Sequence, residues 1–146
     1  MSLVHQASGV AIEGRAVLIE GPPGSGKSSL ALGLIDRGAV LIGDDAVRLE
    51  RQGERLFASP PPNIAGLLEV RNLGLLPFPT AAAVPVALVL RLDPQAPRFI
   101  DKAEQVERAG VRLPLIRLWP GGEVLAMKAQ LALDRHGLGF GANSES

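Results

Sequence analysis

Apolar residues fall along the chain in short runs with two kinds of spacing. Residues 16–20 (AVLIE), 39–43 (AVLIG), 84–92 (VPVALVLRL) and 111–118 (VRLPLIRL) are compact apolar runs bounded by turn residues, the pattern of buried strands. Between the first two, Leu30, Ala31, Leu34 and Ile35 recur at helical spacing, and Gly38 is a natural helix stop. Strand, helix and strand in that order predict a βαβ unit in which 16–20 and 39–43 form a parallel pair with a right-handed crossover. Residues 3–5 and 10–13 read as two short strands ahead of it. Residues 47–51 and 55–58 flank Gln52-Gly53-Glu54 and predict a hairpin. Ser59-Pro60-Pro61-Pro62-Asn63 predicts a rigid, exposed connector. Pro85 must sit at the start or edge of its strand. Residues 101–108 predict a short surface helix, and apolar residues at 124, 125, 127, 131 and 133 predict a closing helix within 122–136. The pattern describes one domain over 1–137 and a Gly/Ser-rich tail, 138–146, expected to fray.

The break between the first strand and the first helix carries the clearest chemistry. Gly21, Pro22, Pro23, Gly24, Ser25, Gly26, Lys27 and Ser28 fit G-x-x-x-x-G-K-[ST], the Walker A pattern of a phosphate-binding loop. Glycines let backbone N–H groups approach an anion, and the start of the following helix adds partial positive charge. In such a loop the lysine reaches the β- and γ-phosphates and the hydroxyl completes a Mg²⁺ shell, so Lys27 and Ser28 take those places. The flanking strand and helix patterns are the context the motif requires. The phosphate is expected to belong to a nucleoside triphosphate.

Composition narrows the partners. Lys+Arg and Asp+Glu are both 15 over 146 residues, which leaves no basic footprint for nucleic acid or an anionic membrane. Aromatic residues make up 3%, too few for a base-stacking platform. There is no Cys, so no disulfide or thiolate chemistry, which accords with a cytoplasmic location. The N-terminus MSLVHQASGV has no secretory pattern, and no apolar run approaches a membrane span.

Phosphoryl transfer also needs a group to orient or deprotonate the acceptor. In open α/β sheets ligands bind beyond the carboxyl ends of strands. Asp44 and Asp45 follow the strand 39–43 directly. Adjacent carboxylates on an extended chain point to opposite sides, so one can face phosphate while the other faces metal, water or backbone. Glu69 and Arg71, two apart in LLEVRNLGLLP, are either a site pair or a structural ion pair. Asp93 follows an apolar strand as a Walker B aspartate would, although Pro94 favours a plain strand-ending turn. His5, a lone histidine in a strand-like segment, reads first as structural.

Taken in order, these segments resemble the bacterial HPr kinase/phosphorylase family, which phosphorylates a serine of the phosphocarrier protein HPr. The likeness rests on His5, GPPGSGKS at 21–28, DRG at 36–38, VLIGDD at 40–45 and LEVRNLG at 68–74. The resemblance implies an α/β fold of P-loop NTPase type, HPr kinase/PEP carboxykinase-like, with a mixed sheet flanked by helices. It implies ATP and Mg²⁺ as reactants, with Asp45 as acid/base residue, Lys27 and His5 as further active-site residues, and Ser28 and Glu69 as Mg²⁺ ligands. Residues 68–77 match the stretch tied to both reaction directions, and Arg98 is the nearest match to a further catalytic arginine. A cytoplasmic protein serine kinase acting on HPr, and a homo-oligomer (a hexamer), follow from the same resemblance.

The sequence departs from that family in three ways. The family's usual N-terminal domain is expected to be absent, which resembles its short forms, and the segment between Gly74 and Val84 is shorter than usual. A basic loop tied to the dephosphorylating reaction is replaced by PLIRLWPGG at 114–122, with Arg117 its one basic residue. The phosphorylase activity is therefore not expected. Two rival readings are a small-metabolite kinase, with Arg48, Arg51 and Arg55 as a lid, and a nucleotide-binding switch that needs no acid at position 45.

Overall fold

A computed structural model describes residues 2–63 and 66–140. The elements are β1 (Ser2–His5), β2 (Ser8–Ile12), β3 (Arg15–Glu20), α1 (Lys27–Asp36), β4 (Val40–Gly43), β5 (Val47–Gln52), β6 (Arg55–Ser59), β7 (Leu67–Val70), β8 (Gly74–Pro77), β9 (Val84–Leu92), β10 (Glu104–Arg108), β11 (Val111–Leu118) and α2 (Leu125–His136). The two short N-terminal strands, the 47–59 hairpin, the long strand at 84–92 and both main helices stand where the hydrophobic pattern puts them.

Nine strands form one mixed sheet: seven run in the order β1-β5-β6-β9-β3-β2-β4, β11 joins β9 off this path and β10 pairs with β11, while β7 and β8 form a separate hairpin. The sheet forks at β9. One edge of β9 pairs in parallel with β3. Its other edge pairs first with β6, at Val84 and Pro85, and then with β11, from Val89 to Leu92. Pro85 therefore stands at the start of its strand, where a missing N–H is tolerated.

Side-chain alternation on these strands feeds two cores. Val17 and Ile19 of β3 face one core, together with Leu88 and Leu90 of β9 and Leu30, Leu34, Ala129 and Leu133 of the helices. Ala16 and Leu18 face the other, which is built from Val47, Leu49, Leu56, Leu113 and Leu115 and contains no helical residue. Both helices thus pack against the first core. The forked sheet curls over the second, so the expected sheet flanked by helices is instead one helical layer and one self-covered face.

Three local expectations are corrected. The strands 16–20 and 39–43 run in the same direction but are not neighbours, because β2 lies between them and pairs antiparallel with both. The parallel partner of β3 is β9. Residues 101–108 are not a helix: 104–108 pair antiparallel with 111–115 across a two-residue turn. Ala109 and Gly110 both have positive φ, 50° and 83°, the backbone that joins twisted strands tightly. Long-range pairing outweighs a weak local helix preference there. The proline connector is only partly exposed: Ser59 and Pro61 are buried, and the Ser59 hydroxyl accepts the Ala83 N–H.

Of the tail, residues 138–140 are described: the Leu138 N–H donates to the Ala87 carbonyl, and Phe140 lies under the Arg55 guanidinium at 4.8 Å. Residues 141–146 lie outside the described residues. No helix among the described residues is long and apolar enough to cross a membrane.

Candidate active site

The loop from Gly21 to Gly26 leaves the end of β3 and enters α1 without a side-chain cap; Gly26 is the N-cap residue, with φ 101°. Gly24 and Gly26 both hold positive φ and open space where a Cβ would stand. The first turn of α1 holds no acid, so its free N–H groups and Lys27 give the loop an unopposed positive end. Lys27 Nζ donates to the carbonyls of Gly21 and Pro22, at 2.9 and 3.2 Å.

One pocket of about 210 Å³ beside this loop gathers Lys27, Ser28, Asp44, Asp45, Glu69 and Arg71. Asp44 is its anchor. Its Oδ1 accepts from the Ser28 hydroxyl at 2.6 Å and the Ser8 hydroxyl at 3.1 Å, and its Oδ2 accepts from the Glu69 N–H at 3.0 Å. Ser8 in turn accepts the Asp45 N–H at 3.2 Å.

The chain does not run extended through the aspartates. Asp45 has φ 67°, a left-handed conformation, and a Cβ at Gly43 would stand 2.2 Å from the Ala46 carbonyl oxygen. The expectation that the two carboxylates diverge on opposite sides is thereby corrected, since both line the same pocket. They differ in commitment. Asp44 is saturated by donors, whereas the Asp45 side chain is exposed and makes no hydrogen bond or ion pair among the described residues.

Glu69 lies in β7 and Arg71 is the first residue of the β7–β8 turn. No ion pair joins them among the described residues, and each lines the pocket separately. Leu68, fully buried in the helical core, anchors β7. Asp93 stands apart: it accepts the Gln95 N–H and binds Arg117 at 3.0 Å. The Gln95 N–H, more than Arg117, holds its carboxyl below the usual range against the effect of desolvation. It is the strand-ending turn that Pro94 suggests.

His5 lies in a second pocket, of about 400 Å³, lined by Val4, His5, Gln6, Glu20, Gly21, Arg91 and Arg108. Glu20, 5% exposed, ends β3 immediately before the loop. It binds His5 Nε2 at 2.7 Å and takes two bonds from Arg108, from Nη2 at 2.7 Å and Nε at 2.9 Å. Arg91 stands 4.0 Å away. Burial pushes the Glu20 carboxyl up, but the bonds from Arg108 and then His5 prevail and lower it from 4.5 to about 2. Arg98 is exposed beside Phe99 and lines neither pocket; the arginines that reach the Gly21 side of the loop are Arg91 and Arg108. Sequence reasoning missed Glu20, Ser8 and these two arginines. An acid at the end of an otherwise apolar strand was the available signal for Glu20, while Arg108 lies 88 residues away and is brought in by β10.

Residues 2–82 match the family model described as the HPr Serine kinase C-terminal domain. The chain belongs to that family. The HPr kinase/phosphorylase of Chlorobium phaeobacteroides is 32% identical over 145 residues, covering 89% of this chain and 43% of that protein. The HPr kinase/phosphorylase of Nitrosomonas europaea is 52% identical over 64 residues, covering 43% of this chain and 20% of that protein. The chain therefore spans less than half the length of these curated relatives. A solved structure, the Hpr(Ser) kinase/phosphatase from Coxiella burnetii, superposes with a TM-score of 0.78 at 24% identity, covering 90% of this chain and 94% of that one, and shares the fold.

Two tests address how this HPr kinase-family domain holds its site. Glu20 is ionised in the fold down to about pH 2, so the stability it adds is present above its ordinary value of 4.5 and is lost as pH falls from 4.5 towards 2. Glu20→Gln is expected to cost about 3 kcal/mol at pH 7, the low end for breaking a buried pair because Arg108 is partly exposed, with the difference from wild type shrinking towards pH 2. Urea unfolding across that range measures it. Ser8→Ala removes a fully buried hydroxyl that donates to Asp44 and accepts from Asp45. A loss of about 1–3 kcal/mol and faster amide exchange at Asp45 are expected, read by unfolding and hydrogen-exchange measurements.

Proposed function

We propose that this domain is an ATP- and Mg²⁺-dependent protein serine kinase whose acceptor is an HPr-type phosphocarrier in the cytoplasm. The observation that carries the reading is the division of labour within one pocket: Asp44 accepts from Ser8, Ser28 and the Glu69 N–H, while the Asp45 carboxylate beside it has no partner among the described residues. Gly21–Ser28 cradles the triphosphate, and Lys27 exchanges its loop carbonyls for phosphate oxygens. Family membership and the names of the relatives support the acceptor.

The pocket suits Mg²⁺. Its donors are hard oxygens, and the Ser28 hydroxyl points its hydrogen at Asp44, which leaves its lone pairs available. Among the described residues no trio of His, Cys, Asp or Glu could hold a metal alone. That accords with an ion held by one or two carboxylates together with phosphate oxygens. Ser28 and Glu69 would hold it, with Asp44 orienting Ser28, and when bound it supplies positive charge to the phosphate oxygens.

In the reaction the acceptor serine oxygen bonds to the γ-phosphorus as its proton passes to Asp45. The bond from that phosphorus to the β–γ bridging oxygen breaks, releasing ADP and phosphoserine. The serine hydroxyl is a poor nucleophile until its proton has an acceptor, and a free carboxylate supplies one. The rival readings fare worse. Arg51 is bonded to the Gly53 carbonyl and Arg55 lies on Phe140, and neither they nor Arg48 line the pockets beside the loop. A switch without chemistry gives no account of an unpartnered carboxylate in the phosphate pocket.

Asp45→Asn is expected to lower the single-turnover rate of HPr phosphorylation by at least ~10²-fold with stability and ATP affinity kept, since an amide cannot accept the proton. Asp44→Asn places an NH₂ against either a hydroxyl or the Glu69 N–H, so it should instead weaken Mg²⁺ dependence and lower the melting temperature. If Asp45→Asn retains near wild-type turnover, the base is elsewhere. The reverse reaction needs a second anion near the first, and such anions repel unless cations intervene. Arg117, the one basic residue of PLIRLWPGG, is already bound to Asp93 and Glu104. Pyrophosphate-driven release from Ser-phosphorylated HPr is therefore expected at least ~10-fold slower than forward turnover, as a phosphate-release assay would read.

A further inference from the structure

The pocket around His5, on the far side of Gly21, has no part in the phosphate chemistry described so far. We propose that Glu20 is a positioning residue for the protein substrate: it holds His5 in the Nε2–H tautomer and so presents the ring Nδ1 as a hydrogen-bond acceptor to an N–H or O–H of the incoming phosphocarrier. The proposal deepens the kinase reading given above and rests on it.

Three observations lead to it. The first is the count of hydrogens at Glu20. Its carboxylate is ionised in the fold, and an ionised carboxylate only accepts. Oε2 takes Arg108 Nε at 2.9 Å and His5 Nε2 at 2.7 Å, and Oε1 takes Arg108 Nη2 at 2.7 Å. The guanidinium has only donors to offer, and its Nη1 is itself fixed by the Glu107 carbonyl at 2.9 Å. The contact between the carboxylate and His5 therefore requires the hydrogen to sit on Nε2. In the uncharged ring the other nitrogen, Nδ1, is then a bare lone pair. A carboxylate bonded to one ring nitrogen fixes the tautomer and the plane of a histidine that works through the other.

The second is the state of Nδ1. It has no hydrogen-bond partner among the described residues, and the one buried side-chain polar atom without a partner among them is the Ser25 hydroxyl, so Nδ1 is reached by solvent. The third is the side of the loop. The two pockets on the α1 side, one of them walled by residues 120–123, share Gly24, Gly26, Ser29 and Arg71 with each other and no residue with the His5 pocket. Phosphates held by Lys27 and the start of α1 therefore leave His5 to the other reactant. The β1–β5 register sets His5 opposite Val47, two residues after Asp45, so a protein that brings its serine to Asp45 comes over the His5 pocket as well. That pocket is walled by charged groups, with the Arg91 side chain 41% exposed, which suits the polar groups of a protein surface and not an apolar ligand.

Long-range proton–nitrogen NMR correlation of the nitrogen-labelled wild type, at mildly alkaline pH, reads the tautomer directly. The chain has two histidines, and His136→Gln removes the second set of signals. His5 is expected to show a protonated Nε2 and a bare Nδ1; a proton on Nδ1 overturns the proposal. Kinetics with an HPr-type phosphocarrier then test the use of that nitrogen. His5→Gln can keep the bond to Glu20 through its carboxamide but places no acceptor where Nδ1 stands. The KM for the phosphocarrier is expected to rise about 3–10-fold, the loss of one neutral hydrogen bond, with the melting temperature and the KM for ATP kept. Glu20→Gln offers one oxygen to three donors, so His5 should show both tautomers and the phosphocarrier KM should rise by a similar factor. An unchanged phosphocarrier KM in His5→Gln, a rise in the KM for ATP in its place, or wild-type tautomer and KM in Glu20→Gln overturns the proposal. Should Glu20→Gln fail to fold, the wild-type spectrum and His5→Gln still decide. If the wild type phosphorylates no phosphocarrier while His5 shows the expected tautomer, the kinase reading is what fails, and the substrate role of His5 falls with it.

Discussion

The carboxylate of Asp44 ties three segments together by side-chain hydrogen bonds at one end of the sheet. It takes hydrogen bonds from Ser8 at the start of β2, from Ser28 in the first turn of α1, and from the backbone of Glu69 in β7. Bonds to an ionised group contribute about 1.5–3 kcal/mol each, more than a neutral pair. A short side chain at the end of β4 can reach three partners only if the backbone turns sharply beneath it. The turn is made by Gly43, where a Cβ would meet the Ala46 oxygen, and by the left-handed Asp45. The separate β7–β8 hairpin, which pairs with no other strand, is held to the site by this carboxylate and by the burial of Leu68.

The same turn separates the roles of two neighbouring acids. Donors around Asp44 fix its orientation and set it against the Ser28 hydroxyl. Asp45 is lifted out of the network: among the described residues only its backbone N–H is hydrogen-bonded, to Ser8, and its carboxylate lies exposed in the pocket. On the opposite side of Gly21 the pattern inverts. Glu20 is buried, but Arg108 and His5 hold it ionised. The loop at Gly21–Gly26 therefore lies between one pocket with an exposed carboxylate, Asp45, and another whose acid, Glu20, is internally neutralised.

What could be read from the sequence was what is encoded locally. The apolar runs, the 47–59 hairpin and the position of Pro85 each depend on a few adjacent residues, and each stands in the structure. The clustering of Lys27, Ser28, Asp44 and Asp45 also follows from local rules, since each lies at the end of an element next to the loop, whereas Glu69 arrives with the separately packed β7. What failed depended on pairing at a distance. The insertion of β2 between β3 and β4 is a register choice that no short window records. Residues 101–108 carry charges that a helix or an edge strand would accept equally, and only their pairing with β11 decides. That pairing brings Arg108 to Glu20, while Arg98 stays exposed.

Strand direction explains why so many dispersed residues share one end of the molecule. Strands β3, β9 and β11 are parallel, and β4 runs with β3 because β2 opposes both. Their carboxyl ends deliver Gly21, Asp93, Trp119 and Asp44 to the same edge of the sheet, where ligands of α/β folds bind. The antiparallel β2 presents its first residue there instead of its last, which is why Ser8, and not a residue near Ile12, meets the aspartates. The fork at β9 adds a further consequence. If β6 ran the full length of β9, β11 would have no edge to join, and the 119–126 segment would have no route from the sheet to α2 beside the Walker loop. By limiting β6 to Val84 and Pro85, where the proline offers no N–H, the chain leaves Val89–Leu92 free for β11. A proline at the start of the central strand thus helps open the edge on which the far wall of the candidate site is built.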